Sequence, residues 1–364
     1  MNHSRPHAEI RSASQTLCQL GLFGVCVCLA LSAGAAARAG GVRDAVDWPA
    51  FLAASDPVWE CMPENWWEAP YLGNGMLGTL LRKVDERTVE WQVGRSDVED
   101  YRPMNYGLGR LPIGSFLLRT QGEVTGCDMR LDLLNAEAGG TIHTSAGHIA
   151  FTTLVHADQM AILVRWKGEG GEADSVLQWS PKEALHPRLA VKPDPERKKT
   201  WRPNPAGRQT ECGGVPVWVQ PLSEGAYATA WLETRHDGWH ALFISTQYAW
   251  PGDPQAVAEQ AVEAVRAASD TPREDFLATH RAAWLDHYRK SFFSVSDPYW
   301  QSFYWNQLYK LRAATRRDGV ILGIQGPWEQ TTPWPGIWWN LNVQLNYWPM
   351  YTCLLYTFPS PRDS

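Results

Sequence analysis

Cysteine is scarce where it could matter. The 364-residue chain has seven, but Cys18, Cys26 and Cys28 fall in an N-terminal segment that reads as removable, and Cys353 falls in a tail that reads as foreign. Cys61, Cys127 and Cys212 remain. Two of these can pair, yet three thiols make no disulfide framework, and no Cys-x-x-Cys spacing suggests a metal. No metal or cofactor is expected, and the fold must stand on its hydrophobic core. Basic charge is also short: 33 Lys and Arg against 39 Asp and Glu give a net charge of −6. Phosphate binding needs a positive field, which Arg197-Lys198-Lys199, set among prolines, is too short to supply. Nucleic acid is therefore not an expected partner. Long apolar runs are missing too, with one exception from about Leu17 to Leu31, and no other stretch approaches the ~18 uninterrupted apolar residues of a membrane span.

That exception has a local explanation. Arg5 and Arg11 precede it and small residues ending in Ala37-Arg38-Ala39 follow it, the pattern of a signal peptide over 1–39. The expected location is secreted or periplasmic, with no membrane association after cleavage. Removing the segment removes three arginines against Glu9, so the mature chain is still more acidic. At the other end, residues 353–364 read as translated sequencing adapter, one base change giving Phe358, and are set aside like a fusion scar. On that reading the natural protein continues past Thr352 and the chain is a fragment.

Between these ends the texture changes once. From about Trp48 to Tyr248, β-rich runs alternate with Gly, Pro and Asp clusters. Residues 148–156 and 160–166, joined by Ala157-Asp158-Gln159, read as a hairpin. Further runs lie at 77–81, 88–93, 115–118, 215–219, 226–233 and 241–245. Strands without intervening helices imply an antiparallel sandwich. Residues 181–214, rich in Pro, Lys and Arg, read as a long loop or insertion. After Pro254 helical patterns take over. An alanine-rich helix spans 256–268, and Thr271-Pro272-Arg273-Glu274 reads as a capping box opening a second. A third, over about 299–316, carries Trp300, Tyr304, Leu308 and Leu311 on one face, with Gly319 as its stop. The expected class is α+β and multidomain: a β-sandwich over 40–252, a helical linker over 253–297, and a further helical domain opening at 298–352.

What the chain has in excess is tryptophan, 20 residues. They cluster at Trp66-Trp67 and at Trp328, Trp334, Trp338, Trp339 and Trp348. The second cluster is interleaved with Gln325, Asn340, Asn342, Gln344 and Asn346, an odd mixture for a dry core because each buried amide needs partners. Sugars suit it, since their C–H faces stack on indole while their hydroxyls seek polar groups. Core packing is the competing reading for any single tryptophan.

The motif Gly323-Ile-Gln-Gly-Pro-Trp328, followed by Pro333-Trp-Pro-Gly-Ile-Trp-Trp-Asn-Leu-Asn-Val-Gln-Leu-Asn-Tyr-Trp-Pro349, resembles glycoside hydrolase family 95. Two weaker matches lie upstream, Pro70-Tyr-Leu-Gly-Asn-Gly-Met-Leu-Gly78 and Met129-Arg-Leu-Asp-Leu-Leu-Asn-Ala136. The resemblance implies a β-sandwich, a helical linker and an (α/α)6 barrel of which 298–352 would be the start. It also implies an inverting, α-L-fucosidase-like activity on an oligosaccharide or glycan substrate. Asn340 and Asn342 match the family's paired asparagines that hold the attacking water; Trp334, Trp338, Trp339 and Gln344 are the expected substrate contacts. Helix capping is the competing local reading for both asparagines. Inversion requires a general acid and a base on opposite faces of the sugar, and the resemblance places both beyond this chain, so the fragment is expected to be inactive. The sequence departs from the family at Trp338-Trp339 and at Asp97-Val-Glu-Asp100, which puts the sugar in doubt. A phosphorylase related to family 65 and a non-catalytic glycan-binding protein stay open as rivals.

Other candidates read as ordinary. Asp97, Glu99 and Asp100 form either a calcium or sugar contact or a solvated turn. Glu329, the acid inside the aromatic cluster, can reach substrate hydroxyls. The ten histidines, His143 and His148 among them, read as surface or turn residues.

Overall fold

Alternation of apolar and polar residues builds two antiparallel sheets, each with one face that must be covered. The computed structural model describes residues 45–102, 109–191 and 202–352; the expected signal peptide and the foreign tail lie outside them. A nine-stranded sheet runs in the order β1 (Val58–Trp59), β8 (Val124–Asp132), β9 (Glu137–Thr144), β10 (Gly147–Val155), β11 (Ile162–Gly170), β16 (Trp239–Ala249), β15 (Ala226–His236), β14 (Val215–Pro221), β13 (Arg208–Cys212). A five-stranded sheet runs β12 (Leu177–Pro181), β7 (Gly114–Arg119), β4 (Thr88–Arg95), β3 (Leu77–Asp85), β2 (Tyr71–Gly73). Aromatic rings join the two, Trp91 against Phe151 at 5.8 Å and Phe116 against Trp231 at 5.5 Å. The expected hairpin forms, with Phe151 opposite Trp166.

The outer face of the nine-stranded sheet is covered by α3 (Pro254–Asp270) and α4 (Arg273–Arg289). Val215, Val217 and Val219, at period two, meet Val257, Ala261, Val262 and Val265, at helical period. The side chain of Asp253 caps α3 by accepting from the Ala256 N–H at 3.0 Å, with Pro254 at the first position. Asp297 and Pro298 repeat the device at α5 (Pro298–Ala314). The capping box expected at Thr271 does not form: the Thr271 hydroxyl turns back to the Ala267 carbonyl at 2.7 Å, and α4 starts without a side-chain cap. Likewise α5 stops at Thr315, ahead of Gly319. Its core face is Trp305, Leu308 and Tyr309, whereas Trp300 is 57% exposed. Residues 181–214 are more than loop. They include α2 (Pro187–Val191), α1 being the short Trp48–Ala53 helix ahead of the sheets, and β13, whose polar, largely exposed residues pair with β14 alone. Beyond α5 comes α6 (Leu341–Thr352). These helices follow the sandwich; a closed barrel is not part of the described structure. No described helix is long and apolar enough to cross a membrane.

Two of the motifs are fastening points. In the first, Gly73 lies opposite Gly78 and Gly78 opposite Gly94, a row across β2, β3 and β4. A side chain there would strike the Ala313 carbonyl, the Pro327 ring and the Pro327 carbonyl respectively. The fully buried Asn74 amide donates to the His156 and Gln159 carbonyls and accepts from the Met76 and Leu77 N–H groups. Its neighbour Gly75, at φ +89°, donates to the Ala313 carbonyl. In the second motif, the Leu133 carbonyl accepts from the Tyr288 hydroxyl at 2.7 Å and the Asn135 carbonyl from the His280 Nε2 at 2.7 Å. His280 Nδ1 accepts from the Ala157 N–H, so the ring is held neutral in one tautomer. The reading of the histidines as surface residues is corrected here: His156, His186, His240, His280 and His287 are buried, while His143 and His148 pair across strands and meet Asp128 and Glu169.

Gly94→Ala should drive a methyl into the Pro327 carbonyl and lower stability by about 1–3 kcal/mol, read from the denaturant midpoint; an unchanged midpoint would show that the row is not a contact. A second expectation concerns pH. Burial pushes His280 down to about 3 from 6.5. Below 6.5 the unfolded chain therefore binds a proton that the folded chain refuses. This contribution is complete above pH 6.5 and is lost as pH falls toward 3. Stability should drop by up to about 1.4 kcal/mol per pH unit from this residue alone, with His156 and His287, also shifted down by burial, acting in the same direction. A midpoint flat over that window would contradict the neutral tautomer.

Candidate functional site

The glycine row lets the segment after α5 lie directly on the five-stranded sheet. Every residue of β4 is buried, sheet on one side and this segment on the other. Trp328 is fixed by its indole N–H donating to the Leu72 carbonyl at 2.9 Å, and its ring meets Tyr71 edge-on at 4.9 Å. Tyr71 in turn packs on Trp66 at 5.1 Å and donates its hydroxyl to the Trp66 carbonyl. Trp66, Tyr71 and Trp328 thus form one aromatic wall of a cavity of about 440 Å³. Tyr304, Gln307, Lys310 and Leu311 of α5 line the opposite side, Leu345, Asn346 and Pro349 of α6 a third, and residues 322–326 the rim. The Leu322 N–H donates to the Tyr347 hydroxyl, tying rim to helix.

The electrostatics of the cavity are sparse. Lys310 sits 5.4 Å over the Tyr71 ring, and desolvation lowers its pKa; desolvation raises that of Tyr71. Gln325 donates to the Gln330 carbonyl. Among the described residues no carboxylate lines the cavity. The arrangement offers indole and phenol faces, three amides and one cation, which suits adhesion of a polar ring but supplies no acid–base pair.

Trp334 and Trp338 meet edge-on at 4.7 Å, with the Arg188 guanidinium over both rings at 5.6 and 5.5 Å. Trp339 is 54% exposed. Asn340 stands just before α6, its carbonyl accepting from the Gln344 N–H in the first helical hydrogen bond. Asn342 lies three and four residues before Leu345 and Asn346, hence on the same side of the helix. The side chains of Asn340, Asn342 and Gln344 are exposed. None of the six expected site residues lines the cavity. Lys310 and Gln307 carry no sequence signal of their own beyond their place beside the face of Tyr304, Leu308 and Leu311, and that face belongs to the cavity as well as to the core.

Two acidic candidates are corrected. Glu329 is buried and its carboxylate reaches Lys182 at 3.3 Å, so it is a structural ion pair and not a rim group. Of the trio Asp97, Glu99 and Asp100, Asp97 does lie in a turn, half-buried, whereas Glu99 and Asp100 are buried strand residues, so the solvated reading is corrected for them. Arg95 grips Asp97 with two hydrogen bonds, Arg102 grips Asp100, and Glu99 and Asp100 pair with Arg110 and Gly109 as the short β5 (Glu99–Asp100) and β6 (Gly109–Arg110) strands. Burial pushes the Glu99 carboxyl up to about 7, against the pull of Arg110. No group of three or more His, Cys, Asp or Glu among the described residues is placed to hold a metal ion. Cys61, Cys127 and Cys212 are free thiols.

No family model and no curated protein matches the chain. Among solved structures it is similar to a protein assigned as a kojibiose phosphorylase from the human microbiome, at 11% identity and TM-score 0.47, over 71% of this chain and 38% of that one. A bacterial glucoamylase complexed with acarbose aligns at 9% identity and TM-score 0.38, over 77% and 46%. A family 92 α-mannosidase from Bacteroides thetaiotaomicron aligns at 6% and 0.28, over 67% and 38%. The chain thus spans less than half the length of each, and likenesses this distant decide nothing about its activity.

Trp328→Phe should preserve the wall but strand the buried Leu72 carbonyl, costing about 1–3 kcal/mol in denaturant stability, against an expectation of no change if the indole N–H were solvated.

Proposed function

We propose that the chain is the front part of an inverting glycoside hydrolase that removes terminal α-linked L-fucose, or a similar sugar, from extracellular glycans, and that it is exported. The observation that carries this reading is the composition of the 440 Å³ cavity beside α6: aromatic walls with Gln307, Gln325 and Asn346 between them. A pyranose needs apolar faces for its C–H groups and hydrogen-bonding groups for its hydroxyls, and a cavity of this size lies in the range of small-molecule sites. Asn342, on the cavity side of α6, and Asn340 at its start are the proposed water-holding pair. The acid and the base are to be sought outside the cavity's residues.

One observation favours a second reading. Among the described residues that line the cavity there is no carboxylate, so the lining offers contacts for a sugar without the acid and base that inversion requires, as in a non-catalytic glycan-binding protein. The two separate experimentally. Methyl α-L-fucoside should quench tryptophan fluorescence of this chain saturably, with no hydrolysis of an aryl α-L-fucoside. In a protein extended to include the acid and base, the aryl fucoside should be hydrolysed in phosphate-free buffer with inverted product. There Asn342→Ala should lower kcat by about a hundredfold or more while leaving KM within a few-fold, as expected of a group acting in the transition state. Turnover unchanged in Asn342→Ala would remove its role; a requirement for phosphate would indicate a phosphorylase.

A further inference from the structure

A second concavity, of about 710 Å³, opens on the outer face of the nine-stranded sheet where the helical layer turns from α3 into α4. The strand register explains its floor. Leu163 lies opposite Phe243, Arg165 and Thr234 both opposite Ala241, and His236 opposite Trp239, so these side chains share one face. The inner part is apolar, since Leu163 and Phe243 join Ala268 and Phe276 in the core. The outer part is polar and open. Arg165 lays its guanidinium 4.7 Å over the Trp239 ring, and Arg273, exposed at the start of α4, also lines the groove. Neither guanidinium makes an ion pair or hydrogen bond among the described residues, and burial together with the nearby Arg273 lowers the pKa of Arg165. Two cations held near one another beside an indole favour an anion between them.

The remaining lining sets the kind of anion. Asp237, held by His236 at 3.0 Å, Asp270 and Glu274 also face the groove, and Glu137, ion-paired with Arg281, lies within electrostatic reach of both arginines. Such a rim repels a polyphosphate or a nucleic-acid backbone. It suits a ligand with one carboxylate and several hydroxyls, for which Asp270 and Glu274 are acceptors and Ser269 and Thr234 are partners. We propose that this groove binds a saccharide of the uronic acid class, its carboxylate between Arg165 and Arg273 and its ring against Trp239 and the apolar floor. The inference rests on the nine-stranded sheet and α4, and stands whether or not the 440 Å³ cavity takes a neutral sugar.

The test is titration of the chain with sodium glucuronate, followed by calorimetry and tryptophan fluorescence, against glucose, sodium acetate and inorganic phosphate. Glucuronate should saturate, and the three controls should each bind at least about tenfold more weakly. Arg273→Gln, an exposed change checked for an unaltered melting temperature, should weaken glucuronate at least about tenfold. Trp239→Phe should remove most of the fluorescence response while leaving calorimetric binding measurable. No saturation by glucuronate, equal binding of phosphate, or affinity unchanged in Arg273→Gln would each overturn the proposal.

Discussion

The constraint on which the C-terminal half depends is the absence of side chains at three adjacent points of the five-stranded sheet. A β-sheet normally keeps a neighbouring layer about 10 Å away, because side chains stand between them. At Gly73, Gly78 and Gly94 nothing stands there, so the end of α5 and the ring and carbonyl of Pro327 come down onto the strands. Coil seated this closely must satisfy its polar groups, and it does so through the sheet. The Leu72 carbonyl takes the Trp328 indole N–H, the Gln92 side chain takes the Glu329 N–H, and the Ala313 carbonyl takes the Gly75 N–H. Trp66, Tyr71 and Trp328 become one wall only because this contact holds.

The helical layer on the other sheet is fastened by different chemistry. Apolar packing of α3 on β14 and β15 has no direction along the strands, whereas the bonds of Tyr288 and His280 to the 133–135 corner do. Asn74 links the two systems, reaching from the glycine-bearing strands to the carbonyls of the 156–159 turn, whose His156 bonds in turn to the Phe276 carbonyl of α4. One side chain with four satisfied hydrogen-bonding positions therefore couples sheet, turn and helix; a buried amide is stabilising only when so completely partnered.

What the sequence made legible follows from this physics. The strands at 148–156 and 215–219 were readable because one face is buried and alternation records it. Strand β13 was not, because its residues are largely exposed and its pairing with β14 leaves no apolar period. The acidic trio read as solvated because charge is normally exposed; Arg95 and Arg102 lie two residues from their partners in sequence, but the burial of Glu99 beside Arg110 depends on the β5–β6 pairing and leaves no local trace. The Leu-Gly-Asn-Gly motif is visible as a resemblance, but its reason, a close approach by residues more than 200 positions later, is tertiary and leaves no periodic trace.

The aromatic cluster divides by role. Trp328 is buried and structural, while Trp334, Trp339 and Trp348 are 52, 54 and 58% exposed. Exposed indoles in one short stretch are costly unless they meet something, and the exposed amides at 340, 342 and 344 share that stretch. A surface of this composition is poor as core and useful as a contact for a molecule with both C–H faces and hydroxyls. The cavity beside it has the same two ingredients, arranged inward. The lining is thus drawn from three separate elements: rings of the sheet edge and of the segment after α5, an amide and a cation of α5, and an amide of α6 meet only because the glycine row lets that segment down onto the strands.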